Sequence, residues 1–180
     1  MKRCAWVDEK SEIYLKYHDE EWGVPKYKDR ELYELLVLES FQSGLSWITI
    51  LKKRESFRLA FDNFDVLKVS KYNTEKFEEL LHNENIIRNK LKILATINNA
   101  KIFINIQKEY GSFSDYIWHF TDNKIIKNTK PMVKSPLSDR ISKDLKERGM
   151  KHVGSITIYS YLQAIGILND HESCCFKHVQ

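Results

Sequence analysis

Chain-breaking residues are scarce: 180 residues include only six glycines and three prolines. That is too few for a turn-rich β fold, and helices are expected instead. No apolar run is long enough to cross a bilayer, so no membrane partner is expected. The opening Met1-Lys2-Arg3-Cys4 leads towards acidic residues rather than a signal-peptide core, which predicts a cytoplasmic protein. Cysteine is sparse as well, and three thiols leave one odd, a poor fit to an exported protein. Repeats, low-complexity tracts and linkers suited to a domain boundary are all missing. Residues 1–180 are therefore read as a single helical domain, long enough for a sizeable core. The formal net charge of +4 permits a nucleic-acid partner without requiring one.

What the chain does have is a metal-type pair near each end. Cys4 and His18 lie early; His171 and Cys175 lie late. Two thiols and two imidazoles make a complete tetrahedral shell for zinc. Such a shell leaves no position open for water, so the metal would be structural and would join the first helix to the last. His171 and Cys175 are four apart, so one helical turn brings them to one face. Cys4 and His18 can meet only across a loop and a helix start. Three alternatives stay open: unrelated buried thiols and surface histidines, Cys174 as a rival ligand, and a disulfide from Cys4 to the tail.

Apolar spacing is helical almost throughout. Asp29 is placed to cap a helix through Leu32, Leu35, Leu36 and Glu39 that ends near Gly44. Ser46 opens the next, through Trp47, Ile50, Leu51 and Phe57. A helix through Phe77, Leu80 and Leu81 follows a cap at Thr74. After a turn at Asn83-Glu84-Asn85, a long helix runs through Leu91, Leu94, Ile97 and Ile104 to Gly111. Ser112-x-x-Asp115 resembles a capping box. Segment 121–135, with Pro131, reads as a loop. Ser135-Pro136 starts a helix lined by Leu137, Ile141 and Leu145 and stopped by Gly149. The last helix covers about Ser155 to Gly166; a strand over Val153 to Ile158 is the weaker reading.

Aromatic residues crowd the first fifty positions: Trp6, Tyr14, Tyr17, Trp22, Tyr33, Phe41 and Trp47. Most aromatics of a helical protein are core. Their company is unusual, because Glu39 interrupts the apolar run Leu36-Val37-Leu38. A buried carboxylate is costly unless something pairs with it. A salt bridge or a place at the helix edge would explain it. So would a pocket: aromatic walls and one carboxylate are what a positively charged purine needs, through stacking and charge, and a flipped base needs the same contacts. These residues by themselves describe a helical zinc protein with an aromatic pocket.

The ordered motifs go further. Arg3-Cys4-Ala5-Trp6 precedes Tyr17-His18-Asp19-Glu20-Glu21-Trp22-Gly23-Val24-Pro25. Leu38-Glu39-Ser40-Phe41-Gln42-Ser43-Gly44-Leu45-Ser46-Trp47-Ile48-Thr49 runs into Leu51-Lys52-Lys53-Arg54. Ile86-Ile87-Arg88, Arg148-Gly149, Val153-Gly154 and Asn169-Asp170-His171 follow. Over nearly its whole length the chain closely resembles the 3-methyladenine DNA glycosylase I family. The resemblance implies an all-α helix-hairpin-helix glycosylase fold whose N- and C-termini are joined by one structural zinc on Cys4, His18, His171 and Cys175. It implies that Glu39 and Tyr17 bind the base edge as catalytic residues, with Trp47 stacking on the base and Trp6 and Trp22 completing the substrate site. It places Gln42, Gly44 and Leu45 against DNA, with Leu45 as a wedge, and gives Arg88 and Lys90 to the phosphates. The chain departs from the family at Phe41, where a polar residue is usual beside the pocket, and in residues 84–91, which lack the glycines of a typical hairpin. Asn85 is the candidate there for a left-handed turn position.

The implied reaction is hydrolysis of the N-glycosidic bond of 3-methyladenine in double-stranded alkylated DNA. It releases the free base and leaves an abasic site. The methylated base is already cationic and needs no proton to leave. No lysine sits in a motif marking a Schiff-base nucleophile, so a monofunctional enzyme is expected; it is also expected to be a monomer. Asp170 is read as orienting the metal ligand beside it. Two other readings are an inactive zinc-stapled DNA-binding protein and a pocket protein for cationic heteroaromatics that ignores DNA.

Overall fold

The computed structural model describes residues 1–128 and 132–178; Pro131 of the loop read above lies outside them. The chain folds as short α1 (Glu12–Lys16), a π-helical turn (Tyr17–Glu21), α2 (Asp29–Gln42), α3 (Trp47–Ala60), α4 (Val66–Val69), α5 (Thr74–His82), α6 (Lys90–Tyr110), α7 (Phe113–His119), α8 (Pro136–Glu147) and α9 (Ser155–Ala164). Two strands of two residues each, β1 (Ile126–Lys127) and β2 (Leu168–Asn169), pair in parallel. Helices therefore carry the architecture, as the scarcity of glycine and proline predicts. Among the described residues no helix is long and apolar enough to cross a membrane.

α2 and α9 are buried almost all round, which is why neither shows a clean polar face in sequence. Leu32, Leu35, Leu36 and Leu38 of α2 and Ile158, Tyr161 and Leu162 of α9 belong to one large core with residues of α3 and of α5 to α8. A second cluster joins Cys4, Val7, Tyr17, Trp22, Leu51 and Cys175, and Trp47 packs against both. The sequence candidates Cys4, Tyr17, Trp22, Trp47 and Cys175 sit along that seam.

Helix starts follow local chemistry. Ser135 and Ser138 form a reciprocal capping box ahead of α8, and the Asn89 side chain accepts the Lys92 N–H at the start of α6. Two expected caps are corrected. Asn73, not Thr74, caps α5. Asp29 makes no cap for its own helix; its carboxylate accepts the backbone N–H groups of Phe113 and Ser114 and the amide of Gln107, so it caps α7 from across the core. The 153–158 stretch enters α9, as the helical reading has it; the strands lie elsewhere.

Gly166 follows α9 at φ +77°, and a Cβ there would lie 2.4 Å from the backbone of Val24 and Pro25. The same contact is sewn by Gly23 N–H to Gln163 O and Lys26 N–H to Ile165 O, both 3.0 Å. Gly166→Ala is expected to cost roughly 3 kcal/mol from overpacking and left-handed strain together, read from urea unfolding. An unchanged midpoint would show that the N-terminal loop does not press on α9 in this way.

Candidate active site and metal centre

The π-helical turn after α1 presents Tyr17 and His18 to the interior together, both under 4 % exposed. His18 faces Cys4, His171 and Cys175. The ligand-type atoms of these four buried residues lie within 4.8 Å of one another, so they can hold one metal ion. Cys175 Sγ is 3.4 Å from His18 Nε2 and 3.6 Å from His171 Nδ1, and Cys4 Sγ is 3.6 Å from His171 Nδ1. Those separations suit tetrahedral bonds of roughly 2.0–2.3 Å. The outward ring nitrogens are engaged too. His18 Nδ1 meets Asp19 at 2.7 Å, and Arg3 holds that carboxylate with two nitrogens. His171 Nε2 meets the Trp22 carbonyl at 3.3 Å. Each partner is an acceptor, which fixes the proton outward and leaves the inward nitrogen free for a metal. Cys174 is exposed and stands outside the cluster.

The late pair is not on a helix. His171 and Cys175 follow β2 in a turn, with Cys175 N–H donating to Glu172 O at 2.7 Å. The cluster thus ties the N-terminal π-helical turn to a loop beyond the last helix, not first helix to last.

Beside the metal cluster lies a cavity of about 260 Å³ lined by Trp6, Tyr17, Trp22, Glu39, Gln42, Trp47, Ser160, Gln163, Asp170 and Glu172. It is smaller than the roughly 300 Å³ at which pockets for drug-sized ligands begin, a size suited to a single base. Five aromatic or acidic sequence candidates therefore converge: Trp6, Tyr17, Trp22, Glu39 and Trp47. Trp6 packs edge-on to Trp22 at 5.1 Å and to His18 at 5.5 Å, and Trp22 packs edge-on to His171 at 4.6 Å. The cavity wall and the metal cluster are one assembly of rings.

Glu39, on the penultimate turn of α2, is 4 % exposed. No hydrogen bond or ion pair reaches its carboxylate among the described residues, and burial pushes its pKa up to about 8. Neither a salt bridge nor a helix-edge position accounts for it. By contrast, the equally buried Glu34 on the same helix takes ion pairs from Arg30, Arg54 and Arg58. Burial, reinforced by the charges of Glu39 and Glu21, holds the Tyr17 hydroxyl well above its ordinary pKa, so it remains a neutral donor. The Trp47 indole N–H lies beside that hydroxyl and favours its ionised form, yet it is buried with no acceptor at hydrogen-bonding geometry among the described residues. An unpaired carboxyl group, a phenol and an indole with an orphan N–H thus line one aromatic-walled space.

Ser160, Gln163, Asp170 and Glu172 of the wall were not among the sequence candidates for it. Asp170 does not orient His171: its carboxylate accepts from Tyr159, from Asn128 at 2.6 Å and from Gln163 at 2.7 Å. The i, i+3 spacing of Ser160 and Gln163 on α9 was the available signal. Phe41 is fully buried in the main core against Phe57, with ring centroids 4.8 Å apart, and does not border the cavity.

The α2–α3 turn follows. Gly44 takes φ +82°, Leu45 N–H donates to Gln42 O at 2.7 Å, and the Gln42 amide donates to Leu45 O at 3.0 Å. Leu45 is 36 % exposed, which the wedge role requires. Residues 83–89 between α5 and α6 expose Arg88 and lead to exposed Lys90; Arg88 lies 3.7 Å from Glu84. Asn85 is not left-handed, and no residue of this hairpin has positive φ. The missing glycines are thereby explained: the turn has no use for them.

The methyladenine glycosylase family model matches residues 6–178. DNA-3-methyladenine glycosylase of Haemophilus influenzae is 42 % identical over 178 residues, covering 96 % of each chain. A crystal structure of 3-methyladenine DNA glycosylase I (TAG) superposes with a TM-score of 0.94 at 42 % identity, over 98 % of this chain and all of that one. The 3-methyladenine DNA glycosylase I of Staphylococcus aureus, solved for the structural basis of 3-methyladenine recognition, gives a TM-score of 0.93 at 35 % identity, over 98 % and 96 % of the two chains.

Proposed function

The chain belongs to the methyladenine glycosylase family, and from that membership we infer that it is a DNA-3-methyladenine glycosylase of base-excision repair, a hydrolase of N-glycosyl bonds. The observation that carries this reading to its own residues is the unpaired Glu39 carboxylate in an aromatic cavity sized for one base.

N3-methylation makes the adenine ring cationic. Outside the pocket that charge is solvated; inside, it meets Glu39, whose buried carboxyl has no other partner among the described residues and gives up its proton as the cationic base arrives. Tyr17 and Glu39 take the edge of the extruded base, Trp47 stacks on its face, and Trp6 and Trp22 close the wall. The C1′–N9 bond breaks with its electron pair moving into the ring, which becomes neutral. Water adds at C1′ and loses a proton, leaving an abasic site. Neutral adenine lacks the charge that Glu39 stabilises and stays attached. Leu45, on the Gly44 turn braced by Gln42, fills the space left in the duplex. Arg88 and Lys90 meet the backbone phosphates.

Lys26 and Lys92 are both buried enough for their pKa values to fall, Lys26 to about 8. Neither serves as a Schiff-base nucleophile, since both ammonium groups donate to backbone carbonyls rather than into the cavity. This supports a monofunctional enzyme. The ion suited to two thiols and two imidazoles is zinc, held by Cys4, His18, His171 and Cys175 with its shell filled. It supplies cross-linking rather than chemistry. The substrate is alkylated duplex DNA and the enzyme acts as a monomer.

Incubation with duplex DNA methylated at adenine N3 should yield free 3-methyladenine, with strands that break only on later alkali treatment. Folded, metal-loaded protein that binds the duplex yet releases no base would overturn the activity. Breakage without alkali would overturn the monofunctional assignment.

A further inference from the structure

The hairpin and the wedge turn belong to different parts of the chain, and two lysines lace them together. Lys92 is buried on the first turn of α6, directly after the hairpin. Its ammonium donates to the Phe41 carbonyl at 2.7 Å and to the Ser43 carbonyl at 2.8 Å. These lie at the end of α2, where a helix leaves carbonyls unsatisfied and its dipole is negative. Gly44 and Leu45 come next, and Glu39 and Gln42 of the cavity lie on the same stretch of α2. In the opposite sense, Lys53 of α3 donates to the hairpin carbonyls of Glu84 at 3.4 Å and Asn85 at 3.1 Å. Lys92 starts on the helix that follows the hairpin and ends on the backbone at the wedge turn, and Lys53 starts on the helix that follows the wedge turn and ends on the hairpin backbone. Lys92 does not line the cavity, and both of its bonds go to main chain, so it is suited to set position rather than to touch substrate.

We propose that Lys92, seconded by Lys53, is a positioning residue that fixes the wedge turn relative to the phosphate-binding hairpin, so that gripping the backbone and extruding the base occur in one register. This rests on the glycosylase reading above. Phosphate contacts fix where the protein sits on the duplex. A misplacement of about 1 Å far from the chemistry can cost on the order of a hundred-fold in rate. Without the lysines the hairpin would still bind DNA and the pocket would still bind base, but the two would not be aligned.

The test compares Lys92→Met and Lys53→Met with the unchanged protein. Single-turnover release from methylated duplex is measured alongside affinity for free 3-methyladenine, followed by quenching of the tryptophans in the wall. Lys92→Met should lower the saturating rate roughly ten-fold or more, with free-base affinity within about two-fold. Lys53→Met should act in the same direction more weakly. If Lys92→Met fails to fold, Lys53→Met decides alone. Loss of free-base affinity in step with rate would reduce Lys92 to a prop of the pocket, and wild-type rates in the folded variants would also overturn the proposal. No release by the unchanged protein would instead sink the underlying activity.

Discussion

Glu39→Gln is expected to slow release of 3-methyladenine from methylated duplex DNA by roughly a hundred-fold or more, with weaker binding of the free base and near-normal affinity for undamaged DNA. The substitution keeps shape and hydrogen-bonding capacity but removes the one cavity carboxyl that has no other partner among the described residues, and with it the ability to ionise opposite the cationic ring. Rates equal to the unchanged protein would remove Glu39 from the mechanism. A second signature comes from stability. The carboxyl of Glu39 titrates near 8 when folded and near 4.3 when unfolded. Below about 4.3 both states hold the proton and the group is neutral to folding. Between the two values the unfolded chain releases the proton and the folded one does not, so rising pH favours unfolding. The glutamine variant has no such proton. Its stability advantage should therefore grow as pH rises from about 4 to about 8, reaching on the order of a few kcal/mol. A variant that is less stable at pH 8 would contradict an uncompensated carboxylate. Stability forgone at a working site is a common feature of enzymes.

Stripping the metal is expected to be the most disruptive treatment short of denaturant. Purified protein should carry about one zinc per chain. Cys4→Ala, His171→Ala or exhaustive chelation should abolish it and lower Tm by roughly 10 °C. Without the ion, four buried ligands lose their common partner, and the Arg3–Asp19–His18 chain has nothing left to orient. Because Trp22 packs on His171 and Trp6 on His18, free-base affinity should fall with metal content, even though no ligand touches the base. Retention of the metal by both alanine variants would refute the shared shell. Metal loss with unchanged Tm and base affinity would leave the cluster without the structural role assigned to it.

Much of this was legible in the residues because the signals are local or chemically distinctive. Helical spacing located α2, α3, α6, α8 and α9, and serine caps with a following proline marked α8. A carboxylate among leucines stood out at Glu39, and two thiols with two imidazoles announced a cluster able to hold a metal ion. What escaped depends on which distant segments touch. Asp29 is a good cap by composition, but the N–H groups it satisfies are those of α7. His171 and Cys175 meet at the spacing of a helical turn without forming one, because any tight turn can bring i and i+4 together. Phe41 looked like a pocket residue by position, yet α2 is buried on several faces and its side chain points to Phe57. Asp170 was assigned to its sequence neighbour His171, whereas its partners come from α9 and from beside β1. The placement of Lys92 had no signal in the residues, since its two acceptors are main-chain carbonyls 51 and 49 residues away and carry no sequence signature.

The cavity also has a history written into the order of its walls. Trp6, Tyr17 and Trp22 leave the ribosome long before Ser160, Gln163, Asp170 and Glu172. Cys4 must wait for His171 and Cys175, so its cluster stays open until they are made, while α2 to α8 can already collapse around Leu36, Phe57 and Phe103. An incomplete chain would have a core but no base pocket and no closed metal shell. Such a fragment lacks the site, and the nascent protein acquires it only when residue 175 arrives to close the cluster begun at Cys4.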